Sequence, residues 1–160
     1  MNSVGLRYYG AGTPVSVQAI NNIFWNNGVE LAGSGISALL NNSLMDGASN
    51  GVNGNGIFDP KFANAAAGDY HLKSQGGRYE NGVWIIDAET SQCIDVGIQE
   101  GIYAAYDQEP TNNGMRVNLG RYGNTPEASK CLPATYLPYA GYVTDNVIPA
   151  GVPTNCAVFA

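Results

Sequence analysis

Two stretches of the sequence decide its fold, Ala19–Asn26 (AINNIFWN) and Leu39–Asp46 (LLNNSLMD). Lying twenty positions apart, both place an apolar residue, two asparagines, a short apolar stretch and a polar turn residue in the same order. Repeats of about twenty residues or more are typical of solenoids, in which each short unit buries its apolar face only against its neighbours. The repeat therefore predicts stacked coils, with apolar side chains such as Phe24 and Leu44 pointing into one core.

The composition also favours short strands joined by tight turns. Of the 160 residues, 21 are glycine, only 12% are charged and 44% are hydrophobic. The charged residues that form helices well are scarce, whereas glycine, asparagine and proline are frequent throughout the chain. A β-sandwich tolerates the same composition and stays open as an alternative, while a leucine-rich repeat lacks its regular leucine spacing here.

Beyond the repeat, two short segments have local patterns of their own. Asp69–Leu72 alternates in polarity and is predicted to be a strand. Gly82–Asp87 (GVWIID) is predicted to be the second arm of a hairpin that begins near Arg78 and turns at Glu80–Gly82.

A series of motifs follows in a specific order after the repeat. They are IFDPKF at 57–62, GDYHL at 68–72, CIDVG at 93–97, NGMRVNLG at 113–120, RYGNTP at 121–126 and EASK at 127–130. In this order they resemble the closing segment of secreted bacterial right-handed parallel β-helix repeat proteins, which have a pectate-lyase-like fold. The order of several motifs is much more specific than any one of them.

The resemblance implies an all-β chain, a short right-handed parallel β-helix with a C-terminal cap and an irregular tail. We expect residues 1–56 to form β-helix coils and residues 57–130 to form the last coil and the cap. Residues 131–160 fall outside the resemblance and look like an extension rich in proline and tyrosine. A solenoid covered at one end only would leave its other end open to a neighbour.

That open end leads to the main functional expectation, a non-catalytic extracellular module that self-associates with neighbouring coils, as a fibre or surface-layer subunit does. The alternative is a carbohydrate-binding piece of a larger secreted protein related to polysaccharide lyases or glycoside hydrolases. His71 is the only histidine and is expected to be structural. No catalytic residue is assigned, and whether the chain is an enzyme stays open.

Candidate binding residues are of two kinds. Trp25, Tyr103 and Tyr106 are aromatic side chains that can stack on the faces of sugar rings, so a polysaccharide is the expected ligand in the alternative reading. Asp107 and Glu109 carry hard oxygen ligands of the kind that calcium prefers. Calcium is the only cofactor that the sequence suggests.

The three cysteines allow one disulfide. Cys131 and Cys156 bracket the tail and are candidates to close it into a loop, although two unpaired thiols are an equally open alternative. Cys93 lies among apolar residues and is expected to be buried.

The charge distribution excludes one class of partner. The net charge is -6 and the seven lysines and arginines are scattered along the sequence, so no nucleic-acid surface is expected.

No segment is apolar over the length that a membrane span needs. Met1–Arg7 does not resemble a signal peptide, so either the protein stays inside the cell or the chain is a piece of something longer. The predicted coils favour the second alternative, with an extracellular or cell-surface location.

Overall fold

The computed structural model describes residues 6–9, 15–27, 31–34, 36–41, 44–45 and 55–132. In these residues, ten short strands form five separate two-stranded sheets. Their bounds are β1 Leu6–Tyr9, β2 Val15–Ile20, β3 Ile23–Phe24, β4 Leu31–Ser34, β5 Ile36–Asn41, β6 Leu44–Met45, β7 Phe62–Asn64, β8 Asp69–Leu72, β9 Arg78–Glu80 and β10 Val83–Ile85.

The first six strands form three parallel pairs, β1 with β4, β2 with β5 and β3 with β6. Val15 lies opposite Ile36 and Ile23 lies opposite Leu44, so the second and third pairs are offset by 21 positions. The predicted alignment of the repeat, with a spacing of twenty positions, therefore differs from the observed register by one residue. Side chains alternate between the two faces of a strand. A shift of one residue therefore pairs each position predicted to point inward on one strand with a position predicted to point outward on the other.

The later strands form two antiparallel hairpins. In the first, β7 pairs with β8 and the register shifts between Phe62 and Asn64. In the second, β9 pairs with β10, with Arg78 opposite Ile85. Asn81 and Gly82 form the turn of this hairpin, and both have positive φ, as two-residue hairpin turns require. The predictions of a strand at Asp69–Leu72 and of a hairpin turning near Gly82 are confirmed.

The prediction of a right-handed parallel β-helix with a C-terminal cap is wrong. None of the described sheets has more than two strands, and the described residues form no solenoid sheet. Residues 55–132 add hairpins and turns where a β-helix would add further parallel strands. The physical reason is their backbone, because left-handed residues such as Asp95, Asn112, Met115 and Asn124 recur between 95 and 124, where no strand forms.

One apolar core lies under the hairpins. Leu72, Cys93, Ile94, Leu119 and Cys131 form this buried cluster. Side chains from the first repeat, Ile23 and Trp25, pack against it. The core therefore joins the end of β3 to the turn-rich part of the chain.

Buried polar side chains hold the turns around this core. Ser91 Oγ donates to the carbonyl of Pro60 over 2.6 Å, and Ser129 Oγ donates to that of Leu72 over 2.5 Å. Asn118 donates from Nδ2 to the Ser129 carbonyl over 2.7 Å. These bonds satisfy the carbonyls of Pro60 and Ser129, which lie in no described sheet, and that of Leu72 at the end of β8, as burial demands.

Helical structure in the described residues is limited to two 3₁₀ turns, Ala65–Ala67 and Ile102–Ala104. Among the residues that the structure describes, no helix has the length and apolar character to cross a membrane.

Candidate functional site

Two adjoining cavities lie where the first repeat meets the hairpin of β7 and β8. Their volumes are about 580 and 450 Å³, and they share the lining residues Trp25, Asn27, Phe62 and Tyr70. We call the two cavities together the aromatic groove. Both volumes fall within the range of small-molecule binding sites, roughly 300 to 1,000 Å³.

The aromatic side chains of the groove come from three different segments. Trp25 follows directly after β3 and is half-buried against the core, whereas Tyr70 on β8 is 40% exposed. Phe62, at the start of β7, meets the Tyr70 ring edge to face, with a centroid distance of 5.3 Å and an angle of 85°. Pairing of β7 with β8 brings these two rings together, and packing of Trp25 on the core adds the third.

At one end of the groove two lysines share a glutamate. Lys61 Nζ lies 2.8 Å from Glu89 Oε2, and Lys73 Nζ lies 3.1 Å from Glu89 Oε1. Lys61 has a left-handed backbone, φ 52°, and its N–H donates to Asp59 Oδ1 over 2.8 Å. We call this end, formed by Asp59, Lys61, Lys73 and Glu89, the lysine lobe.

The two lysines fix the charge of Glu89. Hydrogen bonds from Lys61 and Lys73, with the positive charges of both, lower the pKa of the Glu89 carboxyl against a small opposing effect of burial. Glu89 is therefore an anion at neutral pH, a hydrogen-bond acceptor and not a proton donor.

The other end of the groove is formed by Asn22, Ile23, Gly120 and Arg121, which we call the arginine lobe. Gly120 has φ 86°, and its N–H donates to the Asn21 carbonyl over 2.8 Å. A Cβ at this position would lie 2.8 Å from Ile23 Cδ1. Only glycine therefore allows the backbone of this turn to close against the first repeat.

The predicted sugar-binding aromatics are not brought together. Trp25 lines the groove, but Tyr103 does not; it is 55% exposed and lines a separate cavity of about 270 Å³ with Asn21 and Asn124. Tyr106 is half-buried and is not among the residues that line the groove.

Sequence reasoning missed most of the groove. Phe62, Tyr70, Lys61, Lys73 and Glu89 were not among the predicted binding residues. The alternation of Asp69–Leu72 is a signal for Tyr70, since it places Tyr70 and His71 on opposite faces of the strand. No pattern in the sequence indicates that Glu89 lies between two lysines 28 and 16 positions earlier.

The predicted calcium ligands differ sharply in environment. Glu109 is 7% exposed, and its Oε1 accepts hydrogen bonds from the backbone N–H groups of Asn118 and Asn124, each over 2.9 Å. Asp107 is exposed, and its Oδ2 accepts a bond from Gln108. Within the described residues no group of three or more His, Cys, Asp or Glu side chains could hold a metal ion. Calcium binding stays a prediction.

The buried carboxyl of Glu109 has an unusual pKa. Burial raises it to about 7, with a further rise from the charge of Asp95, against the opposing effect of the two backbone hydrogen bonds. Glu109 Oε2 is buried and has no hydrogen-bond partner. This side chain therefore ties together the turns at 118 and 124 and titrates near neutral pH.

His71 is buried in the fold, a position that suits the expected structural role, although the family resemblance that suggested that role is wrong. Its ring stacks on Tyr122 at a centroid distance of 3.6 Å, and Nδ1 lies 2.6 Å from Asp69 Oδ1. Burial works to raise the pKa of Asp69, but the hydrogen bonds from His71 and the charges of His71 and Arg78 outweigh it and lower that pKa. The contacts of His71 are those of a structural residue.

One half of the predicted disulfide is described. Cys131 is buried in the core, whereas Cys156 lies outside the described residues. The pairing of the two cysteines stays a prediction.

Comparison with known proteins gives one match. A family model described as disaggregatase related matches residues 39–97, less than half of the chain. No curated protein and no solved structure matches the chain. The match includes the lysine lobe, Phe62 and Tyr70, while Trp25 and Arg121 lie outside it.

This match corrects the family resemblance derived from the sequence motifs. The resemblance to pectate-lyase-like β-helix repeat proteins is wrong, because the family model that matches these residues is the disaggregatase-related one. The resemblance is wrong because it rested on turn motifs rich in glycine and asparagine. They specify left-handed corners such as those at Asp95 and Asn124, and such corners occur in many folds.

Proposed function

We propose that the aromatic groove binds a polysaccharide and that the chain works outside the cell as a binding module. The observation that supports this best is the composition of the groove, in which Trp25, Phe62 and Tyr70 stand beside fixed hydrogen-bonding groups of the lysine lobe. Sugars combine apolar ring faces with hydroxyl groups, so they suit a site with aromatic rings and a few convergent polar groups.

Binding without cleavage suits the chemistry of the lysine lobe. A glycoside hydrolase needs a carboxyl of raised pKa to protonate the leaving group, whereas the pKa of Glu89 is lowered. A lyase needs a neutral base, and both lysines are paired with Glu89. The family model that matches residues 39–97 is described as disaggregatase related.

The experiment is affinity electrophoresis of the purified chain through gels that contain cellulose derivatives, xylan, mannan, chitosan or polygalacturonate. We expect retardation by at least one polymer, and Tyr70→Ala should reduce the affinity by on the order of tenfold, about 1.4 kcal/mol. Tyr70 is a better first target than Trp25 because Trp25 also packs against the core.

The matched control is Ile102→Ala, which removes an exposed apolar side chain outside the groove and outside the hairpin of β9 and β10. It should migrate as the parent does on every gel. Equal retardation of the parent and Tyr70→Ala would show that binding occurs elsewhere, and the absence of retardation on all gels would count against the proposal.

Self-association is a second candidate, and the exposed hairpin of β9 and β10 favours it. Val83 lies on the second arm of this hairpin and is 55% exposed, and Ile86 lies just beyond that arm and is 68% exposed. Apolar side chains grouped at a sheet edge can support contacts between copies. Light scattering across a concentration series should show growth of the parent that Val83→Lys suppresses, and a concentration-independent monomer mass would exclude this candidate.

A further inference from the structure

The aromatic groove has two different ends around a shared middle. Trp25, Asn27, Phe62 and Tyr70 line both cavities, while the lysine lobe lines only one of them. Gly120 and Arg121 line only the other. A ligand lying across the aromatic rings would thus reach two chemically distinct sets of polar groups.

Each cavity is larger than a single sugar ring needs. Volumes of about 580 and 450 Å³ lie within the range that buries a drug-sized ligand. One pyranose unit is smaller than such a ligand and would not reach the lysine lobe and the arginine lobe together, since the two lobes line different cavities. A ligand that uses all the groups together must consist of several linked units.

Exposed residues stand at both ends of the groove. Ala65 and Ala66 are exposed at the end of the lysine lobe, and Asn22 and Arg121 are exposed at the end of the arginine lobe. A site that selects the terminal sugar of a chain needs a wall against which that terminus stops. Among the described lining residues at these ends, these four are instead open to solvent, while others such as Lys61 and Ile23 are half-buried.

We infer that the groove binds an internal stretch of a polysaccharide chain, which runs from the lysine lobe across Trp25 and Tyr70 to the arginine lobe. This inference rests on the proposed function and adds the form of the ligand. Glu89, held by Lys61 and Lys73, accepts hydrogen bonds from hydroxyl groups at one end. Arg121 donates to hydroxyl or acidic oxygens at the other end.

The arginine lobe is a second subsite because its backbone is fixed independently of the lysine lobe. Gly120 is bonded to Asn21 over 2.8 Å and packs closely on Ile23. The Arg121 guanidinium carbon lies 5.5 Å from the centroid of the Tyr122 ring, which supports the side chain at the rim of the groove. The backbone of the arginine lobe is therefore held by contacts within the chain itself.

The test measures affinity as a function of chain length by calorimetry with the full chain. The probes are cello-, xylo-, chito- and galacturono-oligosaccharides of one to six units, with the matching polymers. We expect affinity to rise by on the order of tenfold or more between the disaccharide and the tetrasaccharide in at least one series, and to be unchanged by reduction of the terminal sugar.

One variant in each lobe identifies the subsites. Lys73→Ala and Arg121→Ala should each reduce the gain in affinity from disaccharide to hexasaccharide, and Ile102→Ala, outside the groove, should leave the length dependence unchanged. Circular dichroism of each variant checks that the fold is kept.

The outcomes separate this inference from the proposed function. Binding of a monosaccharide as tight as that of its hexasaccharide, or loss of binding on reduction of the terminal sugar, would overturn the inference and leave polysaccharide binding intact. Absence of binding to every probe and polymer would overturn both. A length dependence that neither lobe variant changes would also overturn the inference.

Discussion

Asn21 Oδ1 accepts a hydrogen bond from the backbone N–H of Ile98 over 2.7 Å, which links two parts of the chain 77 positions apart. The same side chain donates from Nδ2 to the Tyr103 carbonyl over 2.8 Å. Its own backbone carbonyl accepts a bond from Gly120. One residue of the first repeat thus fixes three separate turns of residues 97–120, and it positions the arginine lobe of the groove.

Replacement of Asn21 by alanine should destabilise the fold by about 2 kcal/mol, because the Ile98 N–H and the Tyr103 carbonyl lose their partner. Part of the cost is conformational, since Asn21 has φ 60° and alanine is strained in the left-handed region. Urea unfolding followed by circular dichroism gives the free energy.

Asn21→Gly separates the two contributions, since glycine adopts positive φ freely but makes no side-chain bonds. We expect its stability to lie between those of the parent and of Asn21→Ala. A change below about 0.5 kcal/mol in the alanine variant would contradict a structural role for these bonds.

A second prediction concerns Arg78, which is buried on β9. Its Nε lies 3.1 Å from Asp87 Oδ2, its Nη2 donates to Glu80 over 3.3 Å, and its Nη1 lies 3.6 Å from Asp69. Arg78→Met should cost about 3 to 5 kcal/mol, because the nearly buried carboxylate of Asp87 would lose its counter-ion.

Arg78→Lys is the control that keeps the positive charge of this side chain but not the planar geometry of the guanidinium. A lysine ammonium cannot bond to both oxygens of Asp87 in the planar arrangement of a guanidinium, so only part of the stability should return. The measurement is again urea unfolding, and a methionine variant within about 1 kcal/mol of the parent would refute the role of this ion-pair cluster.

The sequence predicted local features of this fold better than its overall arrangement. The hairpin that turns at Gly82 and the strand at Asp69–Leu72 depend on residues near one another in sequence, and both are present. The parallel pairing of β2 with β5 follows the repeat, although its register differs by one position. Hydrogen bonds between residues far apart in sequence, such as that between Asn21 and Ile98, leave no periodic pattern in the sequence.

The same reason explains why little of the candidate site could be predicted from the sequence. Trp25 was recognised by its type and its place after an apolar strand, but its partners Phe62 and Tyr70 come from a hairpin nearly forty positions later. Glu109 was taken for a metal ligand because its type suits calcium, and its burial depends on turns that form only in the folded chain. Residue type identifies chemistry, while tertiary packing decides the role.

A third prediction concerns thiol reactivity. Cys93 is fully buried, and burial raises the pKa of its thiol to about 12, with a further rise from Asp59 and an opposing hydrogen bond with Ser91. Because the thiolate is the reactive form, Cys93 should not react with a thiol reagent in the folded protein. In urea without reductant it should react fully.

The same assay tests the predicted disulfide. If Cys131 and Cys156 are joined, the unfolded parent will show one reactive thiol, and if they are not it will show three. A Cys93→Ala variant identifies the signal of Cys93 in either case. Rapid labelling of Cys93 in the native state would contradict its burial.

The last prediction is a dependence of stability on pH that comes from Glu109. Its pKa is raised from 4.5 to about 7 in the folded state. Between these values the folded protein keeps a proton that the unfolded chain has released. The contribution of Glu109 is therefore fully present below about pH 4.5, falls as the pH rises, and is lost above about pH 7, a change on the order of 3 kcal/mol.

Glu109→Gln isolates this effect, since glutamine keeps an acceptor for the N–H groups of Asn118 and Asn124 but does not titrate. The charge of Asp95, which contributes to the raised pKa, is present in both proteins. Unfolding free energies measured from pH 4 to pH 8 should be similar for the two proteins at the acid end. They should diverge towards pH 8, where the glutamine variant is the more stable. Parallel curves across this range would mean that the pKa of Glu109 is the same in the folded and unfolded states, and that its two backbone hydrogen bonds offset its burial.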